Sequence, residues 1–130
     1  MQTIKDIQLN FEAFCNSHPQ LNTFGFDHID NLSTKDRVFP VMWVMPMDSP
    51  LNKLTYDVYF GDVLLHDRSN FIDILTDMNA VGYDFVKHLE TSTELDFDTA
   101  NISPFESKFD DHTAGMKFTV TIDIINAFNC

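Results

Sequence analysis

The chain has 130 residues, 44% of them hydrophobic and 22% charged, and its 8 Lys and Arg against 20 Asp and Glu leave a formal net charge of −12. That is the size and composition of one soluble globular domain. The excess of acid argues against a protein that wraps DNA or RNA, which needs a basic stripe to neutralise phosphates, and against docking on anionic lipid. No apolar run approaches the roughly 20 residues needed to cross a bilayer. The opening Met1-Gln2-Thr3-Ile4-Lys5-Asp6 lacks the basic-then-apolar pattern of a secretion signal. Cys15 and Cys130 are too few and too far apart for a metal knuckle or a disulfide framework, so a reduced cytosolic folding environment is expected.

Ile4, Ile7, Phe11 and Phe14 recur at spacings of three and four, which predicts a short amphipathic helix over residues 3–16. Thr3 and Asp6 have the spacing of a capping box, and His18-Pro19 stops the helix. Residues 17–37 follow as a long polar connection with little period. It carries Leu21, Phe24, Phe26, Ile29 and Leu32, so it either folds back over its own core or belongs to an interface.

Residues 38–45 are a strongly apolar run that predicts a strand buried on both faces, with Pro40 marking a bulge or an edge. A hairpin connection over residues 47–52 leads to a second strand over 53–65. There Leu54, Tyr56, Val58 and Phe60 point one way and Thr55, Asp57 and Tyr59 the other. Gly61 and Asp62 are expected to interrupt the alternation, as a bulge or a twist would. From Ser69 or Asn70 to about residue 90, Phe71, Ile74, Leu75, Met78, Gly82, Phe85 and Leu89 keep helical spacing. Gly82, costly inside a helix, is read as a point of close packing. Thr91-Ser92-Thr93 ends the helix. Leu95 and Phe97 begin a third strand, Phe105 to Phe109 suggests a short fourth, and residues 115–125 alternate cleanly as the last. The order predicts a single α+β domain, a two-layer sandwich with a mostly antiparallel sheet, an N-terminal helix and one long central helix.

The search for chemistry is short. His18, His28, His66, His88 and His112 are scattered, and none has the paired spacing of zinc ligands on a helix. Asp110-Asp111-His112 reads as a solvated turn, and His66-Asp67-Arg68-Ser69 as capping chemistry before the long helix. There is no glycine-rich phosphate loop and no nucleophile elbow, and the acids around Glu94 lack the glycine and terminal glutamate of a calcium loop. Cys15 reads as a buried structural cysteine. The expectation is a non-enzymatic protein without cofactor or metal.

Several segments are similar to small structural proteins of Bacteroides phages and prophages. They are residues 11–25, from Phe11-Glu12-Ala13-Phe14 to Asn22-Thr23-Phe24-Gly25; Arg37-Val38-Phe39-Pro40-Val41-Met42-Trp43-Val44; the helix entry from Asp67 to Leu75; and residues 103–115, followed by the last strand and its closing Asn129-Cys130. The pattern resembles tail-terminator, tail-completion and neck-ring proteins, including ring proteins of crAss-like phages. That resemblance implies a small α+β sandwich assembled in six or twelve copies around the DNA channel of a virion neck or upper tail. It also implies neighbouring portal, ring or tail proteins as partners, DNA passing without tight binding, no membrane, and synthesis in the host cytoplasm. It transfers no functional residues. Leu21, Phe24, Phe26, Phe39 and Trp43 are the candidate subunit contacts. Two other classes are kept beside this one: a small monomeric ligand-binding or adaptor domain, and a metal-dependent hydrolase using His66, Asp67 and His112.

Overall fold

In the computed structural model the chain is described over residues 3–27, 38–93, 95–106 and 113–123. Its elements run α1 (Ile4–Ser17), β1 (Thr23–Phe26), β2 (Val41–Met47), β3 (Lys53–Val63), α2 (Phe71–Thr91), β4 (Asp96–Glu106) and β5 (Thr113–Asp123). The strands form one sheet in the order β1-β2-β3-β5-β4, antiparallel except for the parallel β1–β2 pair. This is the α+β fold that the pattern of elements predicts.

The capping box closes as its spacing requires. Thr3 Oγ1 accepts the Asp6 N–H at 3.0 Å, and the Asp6 carboxylate accepts the Thr3 N–H at 3.0 Å. The bond from the Thr3 backbone holds the Asp6 carboxyl below the usual carboxylate range. Ile7, Phe11 and Phe14 are buried, while Ile4 is exposed in the first turn instead of sharing their face.

Both helices pack on one face of the sheet, the inner face. The core joins Ile7, Phe11 and Phe14 of α1 to Ile74, Met78, Val81, Phe85 and Leu89 of α2 over the inner side chains of β2, β3 and β5. Aromatic edges organise it. Phe11 meets Tyr56 at 5.6 Å and Phe85 at 5.0 Å, and Phe60 meets Phe85 at 5.6 Å and Phe118 at 5.7 Å. Full burial of a phenylalanine of this kind contributes about 1.5–3 kcal/mol.

Four expectations are corrected. The 17–37 connection contains a strand, β1, whose Phe24 and Phe26 side chains pack on the inner core; residues 28–37 lie outside the described residues. Gly61 and Asp62 make no bulge, because the β3–β5 register runs unbroken from Lys53↔Asp123 to Val63↔Thr113. The third and fourth predicted strands are one strand of 11 residues, β4, with a register shift between Phe97 and Thr99; residues 107–109 lie outside the described residues. The strand expected over 38–45 runs Val41–Met47: Pro40 precedes it, and Pro46 lies within it where β1 has already ended, so its missing N–H falls on an exposed edge.

The β3–α2 junction is tied by side chains. Asn70 donates to the Val63 carbonyl at 3.1 Å and accepts the Leu65 N–H at 2.9 Å, acting as a strand partner where the sheet ends. Arg68 sits at φ 64°, its guanidinium forked onto Glu106 at 2.7 and 2.8 Å and stacked 4.9 Å over the Phe71 ring.

Candidate functional site

The outer face of the sheet, opposite the helices, is aromatic at one end and polar at the other. Alternation places Val41, Trp43 and Tyr59 on this face, with Phe39, Met45 and Phe105 packed against them. Trp43 lies flat on β1: a Cβ on Gly25 would fall 2.1 Å from its ring. The Phe105 ring likewise covers Gly61, 3.0 Å from where a Cβ would stand, and meets Tyr59 edge-on at 5.2 Å. Glycines on other strands thus make shelves for aromatic rings, Gly25 on the adjacent strand and Gly61 two strands away. Toward the other end, Thr119 donates to Asp57 at 2.6 Å, and Lys53 pairs with Asp98 and, at 3.4 Å, with Asp123.

The five candidate contact residues separate on these two faces. Leu21 is 7% exposed and Trp43 3%, so both are already covered within the chain. Phe24 and Phe26 point into the inner core and Phe39 into the outer cluster, each half-buried. The preceding residue, Val38, is 65% exposed. Its carbonyl accepts the Thr23 hydroxyl at 2.7 Å, and the Phe39 carbonyl accepts the Asn22 amide at 2.8 Å. The 38–39 segment therefore stands against the β1 edge.

A second apolar surface lies across the sheet. α2 packs mainly on β5 and β3 and covers the inner side of the edge strand β4 only in part. Leu75, Thr76, Asn79, Pro104 and Met116 line an open groove of about 390 Å³ there. Ile72, 67% exposed, and the exposed Tyr83 are on α2, and the exposed Ile102 stands two residues before Pro104 on β4. Along this flank of α2, residues 72, 75, 76, 79, 83 and 86 share one side at helical spacing, and none is charged. Asn79 Oδ1 is shielded from solvent and accepts no hydrogen bond. The apolar stripe that helical spacing predicts for α2 includes Leu75 but not the rest of this flank. The signal for the second was the lack of charge on the adjacent flank of an acidic chain.

The titratable groups are built into the scaffold. Gln20 N–H donates to His18 Nδ1 at 3.2 Å, which places the ring proton on Nε2, 3.0 Å from Asp84. His88 Nε2 meets Asn10 Oδ1 at 2.8 Å in an open groove of about 750 Å³ between α1 and the end of α2. Asp67 accepts the Ser69 N–H, which holds its carboxyl below the usual range. Burial pushes the Cys15 thiol up to about 11, with the Glu12 charge adding to it. Among the described residues no group of three or more His, Cys, Asp or Glu is placed to hold a metal ion; His28, Asp110, Asp111 and His112 lie outside them. No described helix is long and apolar enough to cross a membrane.

No family model matches the chain, and no curated protein matches it.

Proposed function

We propose that this chain is a non-enzymatic structural subunit of a tailed-phage virion, forming a ring around the DNA channel at the neck or upper tail. One observation carries the reading: exposed apolar side chains stand at both edges of the sheet, on surfaces of different shape. Val38 is exposed beside β1, and Ile102 is exposed on β4, where Leu75, Pro104 and Met116 line a groove. Two unlike surfaces make a head-to-tail contact, which closes into a ring when the rotation between copies closes. The resemblance of residues 11–25, 37–44, 67–75 and 103–115 to small structural proteins of Bacteroides phages is in keeping with the same reading. Mass spectrometry and density maps of purified virions test it. A ring density that fits this chain is the expected result, and virions without the chain overturn it.

The groove beside Asn10 and His88 favours a second reading, a monomeric ligand-binding or adaptor domain. That reading expects a ligand to shift the Asn10 and His88 NMR signals while the protein stays monomeric.

A further inference from the structure

We infer that β4 is an electrostatically pinned edge strand, which opens from β5 as a unit when salt screens its two ion pairs while the rest of the fold stays closed. The inference concerns the single chain and stands apart from the ring reading.

Burial explains why β4 opens separately. β2, β3 and β5 each sink several side chains into the core, but none of the 11 side chains of β4 is buried. β4 stands at the sheet edge, and its pairing with β5 is broken by the register shift between Phe97 and Thr99. Phe97 and Ala100 lean on the inner core and Phe105 on the outer cluster, all three partly covered. Local opening is easiest where few apolar contacts are buried.

Two ion pairs act where packing holds least. Toward the start of the strand, Lys53 on β3 reaches across β5 to Asp98, the residue that the register skips, and also meets Asp123 at 3.4 Å. At the other end, Glu106 accepts the Arg68 fork at 2.7 and 2.8 Å from the β3–α2 turn. Arg68 holds that fork from a left-handed backbone, φ 64°, which residues other than glycine rarely adopt. Each pair therefore ties β4 to an element other than its backbone partner. The four paired side chains are 31–50% exposed, within reach of screening ions.

The sign of the salt effect separates pinning from general electrostatics. At −12, added salt relieves repulsion across the chain and tightens it. At β4 the effect is reversed, because there salt weakens an attraction. One exposed pair shifts an equilibrium by a factor of about 1.4–5, so two shift the opening of β4 by about two- to thirtyfold.

Hydrogen exchange of the full chain, read by NMR in 0.05 M and 1 M sodium chloride, tests this. The protected amides of residues 96–106 should exchange about two- to thirtyfold faster in high salt, while those of β2, β3 and α2 hold or slow. The Lys53→Met, Arg68→Met variant should show the fast β4 exchange already in low salt and lose the salt dependence. A Lys5→Met, Lys87→Met variant makes the same change of net charge elsewhere and should keep the behaviour of the unaltered chain. The inference is overturned if the protected β4 amides open only together with those of β3, or slow with added salt as the others do. It is equally overturned if the control variant loosens β4 as much as the Lys53, Arg68 variant.

Discussion

The Phe118 ring occupies the space above Gly82, so close that a Cβ on residue 82 would lie 2.0 Å from it. Glycine in the middle of α2 is costly in isolation, by about 1 kcal/mol against alanine. Here it lets the helix descend onto β5. Gly82→Ala is therefore expected to destabilise the fold despite its better helix propensity, by about 1–3 kcal/mol of overpacking strain. Urea unfolding of Gly82→Ala, Phe118→Leu and the double variant measures it. The smaller residue 118 should recover part of the loss.

Tyr56 and Phe85 touch the same Phe11 ring but should respond differently to truncation. The Tyr56 hydroxyl is buried without a partner. Removing it in Tyr56→Phe leaves no orphan behind and should be neutral or stabilising. Phe85→Ala opens a cavity among Phe11, Phe14 and Phe60 and should cost about 3–5 kcal/mol. Thermal melts of the two variants should shift in opposite directions, or only the second should shift.

Alkaline pH should destabilise the protein through two buried groups, Cys15 and Tyr56. Burial raises the Cys15 thiol from 9.0 to about 11 and the Tyr56 phenol from 10.0 to about 12. In both cases the folded chain holds its proton where the unfolded chain has released it. The stability this provides is complete below pH 9 and falls as pH rises from about 9 to about 12. Denaturant midpoints should drop across that interval, and the drop should be smaller in Cys15→Ala, Tyr56→Phe.

The purified chain should leave duplex DNA unshifted at physiological salt. Its basic residues, Lys5, Lys35, Arg37, Lys53, Arg68, Lys87, Lys108 and Lys117, are dispersed. Two of the described ones, Lys53 and Arg68, are already paired with carboxylates. A ring of such subunits repels phosphates within about 8 Å, a Debye length, which suits a conduit. Micromolar or tighter binding in a gel-shift titration would sink that role.

How much of this was legible depended on whether a signal was local. The Thr3–Asp6 box and the Met116 to Ile122 alternation are local, and both stand where the spacing places them. β1 is four residues around a glycine in a polar stretch, and it is a strand only because β2 lies beside it. No window of sequence contains that pairing. The pattern of β4 reads as two strands because the shift after Phe97 breaks its alternation and a proline sits near its end. Of the candidate contacts, Leu21 and Trp43 read as interface material since their covering is non-local. The groove needed the place of β4 in the sheet, which periodicity does not encode.

Trp43 is the one tryptophan in the chain, and its indole N–H donates to the Asp27 carbonyl at 3.1 Å, just beyond β1. With its ring resting on Gly25, it is a built-in optical gauge of whether that short strand is seated. Emission that reddens while helical ellipticity holds would record β1 lifting from the sheet edge as a separate event, without any added label.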